Sequence, residues 1–63
     1  SGVRGFEITL TSITVWFDGT QRSYTYSYQS AGQANVEHMK KLALAGEGLN
    51  AFINTHVKFK FVR

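Results

Sequence analysis

The chain has 63 residues, seven basic against four acidic, a formal net charge of +3 and no cysteine. That length is read as one small domain over residues 1–63, burying only about 60% of its unfolded surface, and it excludes a second. The absence of cysteine excludes disulfides and a thiolate metal site, leaves the core or a second copy to hold the fold, and fits a reducing, cytoplasmic location.

No apolar run approaches the roughly 20 residues of a membrane span, so no membrane partner is expected. Ser1-Gly2 shows neither an initiator Met nor a signal-peptide pattern and reads as a dipeptide left from expression. The basic balance, with a sequence pI near 9.6, leans toward a polyanionic partner. Small domains also carry a few net charges for solubility alone, so the placement of the cations has to decide.

In chain order, Phe6, Ile8 and Leu10 alternate with Glu7, Thr9 and Thr11, and the phase then shifts to Ile13, Val15 and Phe17. A two-residue turn at Thr11-Ser12 sets Leu10 opposite Ile13, Ile8 opposite Val15 and Phe6 opposite Phe17, with all six on one face. One long strand with a bulge at that point restores the same inward face. Asp18-Gly19 is the preferred pair of a type I′ hairpin turn. A loop of two residues, or of four from Asp18 to Gln21, places Tyr24, Tyr26 and Tyr28 inward beside Val15 and Ile13. A three-residue loop turns them outward, where they become the best binding candidates. The even loops are preferred because they bury three aromatics and expose Ser23, Thr25 and Ser27. The outward face then carries Glu7, Thr9, Thr14, Ser23, Thr25 and Ser27, with Trp16 as its one large aromatic.

Ser30 and Gln33 stand at capping-box spacing before a helical stripe of Val36, Met39, Leu42 and Ala43, with Asn35 as a rival cap and Gly46 as the stop. Lys40 and Lys41 project to the polar side of this helix. Leu49, Phe52, Ile53 and His56 recur at i, i+3, i+4 and i+7, which predicts a second short helix. Val57 to Arg63 alternates, which predicts a final strand with Val57, Phe59 and Phe61 inward and Lys58 and Lys60 outward. The order is β-β-β-α-α-β, an α+β fold with a small antiparallel sheet and the helices packed on one face.

Two stretches resemble the KTSC domain family, named from the C-terminus of some lysyl-tRNA synthetases and also found as stand-alone bacterial proteins. That family has a central Y-x-Y motif, a helix, and then a G-x-x-aromatic-N-x-x-I stretch. Tyr24-Thr25-Tyr26 or Tyr26-Ser27-Tyr28 is similar to the first, and Gly46-Glu47-Gly48-Leu49-Asn50-Ala51-Phe52-Ile53 to the second. The resemblance covers roughly residues 13 to 61. It implies no assigned enzyme activity, and RNA binding has been the family's usual suggestion.

Nucleic-acid binding needs cations to neutralise phosphates and exposed planar groups to stack on bases. An open sheet face bearing Trp16, with Arg22, Lys58, Lys60 and Arg63 as the cations, meets both needs and would bind weakly and in a salt-sensitive way. Tyr24, Tyr26 and Tyr28 are read instead as a structural row, with hydroxyls reaching the rim for hydrogen bonds. Lys58 and Lys60 also suit a second role, as charges that keep an edge strand from aggregating.

His38 and His56 have no cysteine or acidic cluster at a ligand spacing, so no metal is expected. Glu37 and His38 point about 100° apart on a helix and have no third group to orient them, so no enzyme and no cofactor are expected. The leading function is a non-catalytic module for RNA or single-stranded DNA. The alternative is a protein-interaction or self-assembly module in which Trp16 and an exposed edge strand join copies, and a homodimer is compatible with either.

Overall fold

Two antiparallel hairpins share a central strand. The computed structural model describes residues 2–63; Ser1, half of the dipeptide read as an expression remnant, lies outside the described residues. Strands β1 (Val3–Ile8), β2 (Ser12–Phe17) and β3 (Ser23–Ser27) form a sheet in the order β1-β2-β3. Four helical segments follow: α1 (Tyr28–Ala31), α2 (Gln33–Ala45), α3 (Leu49–Phe52) and a π-helical turn over Ile53–Val57.

The first hairpin keeps the expected face but slips by two residues. Ile8 lies opposite Ile13 and Phe6 opposite Val15, because the turn centres on Leu10-Thr11 and is closed by the Thr9 N–H donating to the Ser12 carbonyl at 3.0 Å. A two-residue slip conserves side-chain parity, so the inward set is unchanged. Leu10, expected inside, sits in that turn and is 86% exposed. A bulge does occur, but between Val3 and Gly5, where Arg4 is the extra residue and Val3 returns to the face of Phe17.

The second hairpin follows the even-loop expectation. Val15 pairs with Tyr24, Ile13 with Tyr26 and Thr14 with Thr25, a register that closes over Asp18 to Gln21 with Gly19 at φ 81°. Tyr24 and Tyr26 therefore point inward. Tyr28 does not extend their row, because β3 ends at Ser27. The Ser27 hydroxyl accepts from the Ser30 N–H at 3.0 Å and the Ser30 hydroxyl accepts from the Ser27 N–H at 3.0 Å, a capping box that starts a helix three residues before the expected one. Gly32, at φ 95°, separates α1 from α2. Asn35 is not a cap; its amide donates back to the Ala31 carbonyl at 2.8 Å.

The helices cover one face of β2 and β3. Ile13, Val15 and Tyr26 from the sheet meet Val36, Met39 and Ala43 from α2 and Leu49, Ile53 and Val57 from the last helical run. Each fully buried aliphatic in this set contributes roughly 1.5–3 kcal/mol by leaving water. Gly46 closes α2 in the left-handed conformation, with its N–H on the Leu42 and Ala43 carbonyls.

The expected last strand does not form. The helical stripe Leu49, Ile53, Val57 runs through the π turn and carries Val57 to full burial, and Lys58 keeps helical dihedrals (φ −47°, ψ −42°). The Lys60 N–H then bonds the Val57 carbonyl at 2.9 Å, which reverses the chain. Only the end remains to reach β3, and it makes one bond there, from the Val62 N–H to the Thr25 carbonyl at 2.6 Å. Among the described residues no helix is long and apolar enough to cross a membrane.

Candidate nucleic-acid interface

The sheet face away from the helices carries Gly5, Glu7, Thr14, Trp16, Ser23, Thr25 and Ser27. Thr14 and Thr25 hold each other across the strands, hydroxyl to hydroxyl, at 2.9 Å. Trp16 lies between Gly5 and Ser23 and is half-buried. The one basic residue of the strands, Arg4, sits at the bulge and reaches for the Thr20 carbonyl at 3.5 Å. This face therefore pairs an aromatic with little positive charge.

The cations gather elsewhere. Arg22 and Lys58 line a hollow of about 440 Å³ on the helix side of the sheet, between the end of the second hairpin and the π turn. Its walls are the rings of Phe17, Tyr24, Phe59 and Phe61, with the Asn50 and Asn54 amides on the helical side and no acidic residue in its lining. The volume falls within the ~300–1,000 Å³ of ordinary ligand sites.

Local structure explains each contribution. Even-numbered residues of β3 face inward, and that parity continued one step beyond the strand brings Arg22 beside Phe17 and Tyr24. The chain reversal after Val57 presents Lys58 and Phe59 together, with the Lys58 ammonium 5.4 Å from the centre of the Phe59 ring. Phe59 is 69% exposed, which leaves its ring free for stacking. Phe61 is fixed edge-on against Tyr24 with ring centres 4.9 Å apart, and Tyr24 in turn against Phe17 at 5.6 Å. Arg63 is not part of the lining; its guanidinium lies 4.8 Å over the Phe61 ring and donates to the Phe59 carbonyl at 3.2 Å.

Tyr26 forms part of the floor. Burial, with Tyr24 nearby, pushes its phenol up to about 12, so the phenol stays a neutral donor across the physiological range. Among the described residues no buried side-chain oxygen or nitrogen lacks a partner, and none of these residues hydrogen-bonds the Tyr26 hydroxyl. That hydroxyl therefore meets solvent through the hollow that the ring lines.

The structure thus divides the residues expected to act on one face. Arg22 and Lys58 come together at the hollow, Arg63 lies outside its lining on the Phe61 ring, Trp16 stands on the opposite face, and Lys60 is exposed in the reversal with no strand to carry it. Phe17, Tyr24, Phe59, Phe61, Asn50 and Asn54 were not expected at the site. The signals that could have found them are the inward parity of Phe17 and Tyr24, the aromatic spacing of the last segment, and the i, i+4 spacing of the two asparagines along one helix face.

His38 and His56 pack on Phe52, at ring-centre distances of 4.8 and 4.4 Å, and His56 shares a 2.8 Å hydrogen bond with Thr55. Among the described residues no group of three or more His, Cys, Asp or Glu side chains is placed to hold a metal ion. Comparison of the chain with protein-family models, with curated proteins and with solved structures returns no match.

Proposed function

We propose that this chain is a non-catalytic module that binds single-stranded RNA or DNA, and that it does so at the hollow rather than on the open sheet face. The observation that carries this reading is that Arg22 and Lys58 share one cavity with the Phe59 and Phe61 rings. Cations for phosphates and a free ring for a base are the two things a single strand requires. The resemblance of Tyr24–Tyr26 or Tyr26–Tyr28, and of the Gly46–Ile53 stretch, to the KTSC family, for which RNA binding is the usual suggestion, points the same way.

The hollow, at about 440 Å³, offers one exposed ring, Phe59, and two cations, Arg22 and Lys58. One stacked base contributes roughly 1–3 kcal/mol, so a site of this size binds weakly. Two phosphate contacts give a salt slope of about −1.4, a loss of about sevenfold in affinity for a fourfold rise in salt. Anisotropy of labelled single-stranded RNA and DNA, titrated at several salt concentrations, tests the reading. It requires a weak complex that salt disrupts with that slope; no complex at low salt, or one indifferent to salt, overturns it.

A further inference from the structure

The far edge of the sheet is a second unoccupied surface, distant from the hollow. Strand β1 pairs with β2 on one side only, and among the described residues no strand lies on its other side. The outer edge of β3, by contrast, receives the Val62 N–H. The helix layer reaches β1 at Val3 and leaves the rest of the strand uncovered. Phe6 and Ile8 point to the helix side, yet are 39% and 36% exposed. Leu44, 74% exposed, follows Lys40 by one helical turn, and the Lys40 ammonium bonds the Leu10 carbonyl at 2.9 Å, so Leu44 stands on the side of α2 that faces the first hairpin. One strip therefore combines unpaired backbone groups with an apolar face.

We propose that this edge pairs with β1 of a second copy of the chain, antiparallel about a two-fold axis at Phe6, to make a continuous six-stranded sheet. A second β1 needs the same hydrogen bonds and carries the same apolar residues, so it is self-complementary, as a two-fold interface must be. Residues directly opposite in an antiparallel pair share a face, so the axis has to pass through a residue.

Charge selects which one. β1 has one cation and one anion, Arg4 and Glu7, on either side of Phe6. With the axis at Phe6, each Glu7 faces the partner's Gly5, which has open space where a side chain would be, and stands one residue from the partner's Arg4, whose guanidinium exchanges its long 3.5 Å contact with the Thr20 carbonyl for that carboxylate. An axis at Glu7 sets the two carboxylates against each other, and an axis at Gly5 leaves two glycines with no side chains to pair. In the Phe6 register, the Phe6, Ile8 and Leu44 side chains of both copies fill the trough between the two α2 helices.

Sedimentation equilibrium of the full chain over a concentration series tests this. The wild type is expected to shift from 7.1 kDa toward twice that mass as concentration rises. Glu7→Arg, an exposed change that places two arginines together, should weaken the dimer roughly tenfold, and adding Arg4→Glu to it should restore association. Circular dichroism confirms that each variant is folded. A wild type that stays at 7.1 kDa throughout overturns the proposal, as does a dimer that Glu7→Arg leaves unchanged or that the double exchange fails to rescue.

Discussion

The phenol of Tyr28 donates a 2.5 Å hydrogen bond to the carboxylate of Glu37, and the same oxygen takes the Lys40 ammonium at 2.8 Å. Lys40 passes the connection on to the Leu10 carbonyl, so one carboxylate links the start of the helical layer, α2 and the first turn. The hydrogen bond from Lys40, and then that from Tyr28, hold the Glu37 carboxyl below its usual range. A lowered folded pKa gives stability that is present above the unfolded carboxylate value of about 4.3 and is lost as pH falls through the folded value. Urea midpoints should therefore fall on acidification, and Glu37→Gln should flatten that acid limb. An unchanged limb in the variant would place the acid sensitivity on another carboxylate.

Val57 and Phe59 separate a helical ending from a strand. A strand would bury both, whereas Val57 is fully buried and Phe59 is 69% exposed. Val57→Ala removes about two methylene equivalents and leaves a cavity, at a cost of about 2 kcal/mol. Phe59→Ser should stay within about 0.5 kcal/mol of the wild type in stability while losing most of the oligonucleotide affinity. Chemical denaturation of the two variants checks the contrast, and equal costs would restore the strand.

Gly46 ends α2 at φ 80° and ψ 15°. An L-residue in that left-handed conformation costs roughly 1–2 kcal/mol, so Gly46→Ala should lower the unfolding free energy by that amount. The change touches neither the hollow nor β1, and oligonucleotide affinity measured under folded conditions should be unaltered.

Trp16 is the only tryptophan of the chain and lies on the face opposite Arg22 and Lys58. Its emission should hardly move when an oligonucleotide binds, and Trp16→Ala should leave affinity within about twofold, the ordinary scale for a residue outside a contact. Strong quenching on titration would return the binding surface to the open face.

Much of this architecture is legible in the sequence. The α+β class follows from three alternating stretches ahead of two helical stripes, and the preference for an even loop at Asp18-Gly19, made because it buries the tyrosines, gives the parity that buries Tyr26. Gly46 marks its helix end correctly. The last strand fails because Val57 satisfies both periods: it is the first apolar residue of an alternating run and also the third of the stripe Leu49, Ile53, Val57. Packing against the sheet decides for the helix. Tyr28 breaks from its row because a serine pair at Ser27 and Ser30 can cap a helix, and in the sequence Ser30 and Gln33 offer the same spacing.

The site is less legible, since its two halves, the second hairpin and the last helical segment with its reversal, are brought together only by the fold. One part of it was within reach. The parity that turns Tyr24 and Tyr26 inward turns Arg22 inward as well, which separates it from Trp16. Phe59 and Lys58 share a surface only because the chain reverses after Val57, and nothing in their alternation signals that reversal.

Titration of the isotope-labelled chain with a short single-stranded oligonucleotide, followed through backbone amide shifts, tests the central claim most directly. The account predicts perturbations concentrated at Arg22, Tyr24, Asn54, Lys58 and Phe59, fading as salt is raised. Perturbations centred on Glu7, Thr14, Trp16 and Thr25, or none at low salt, would contradict it.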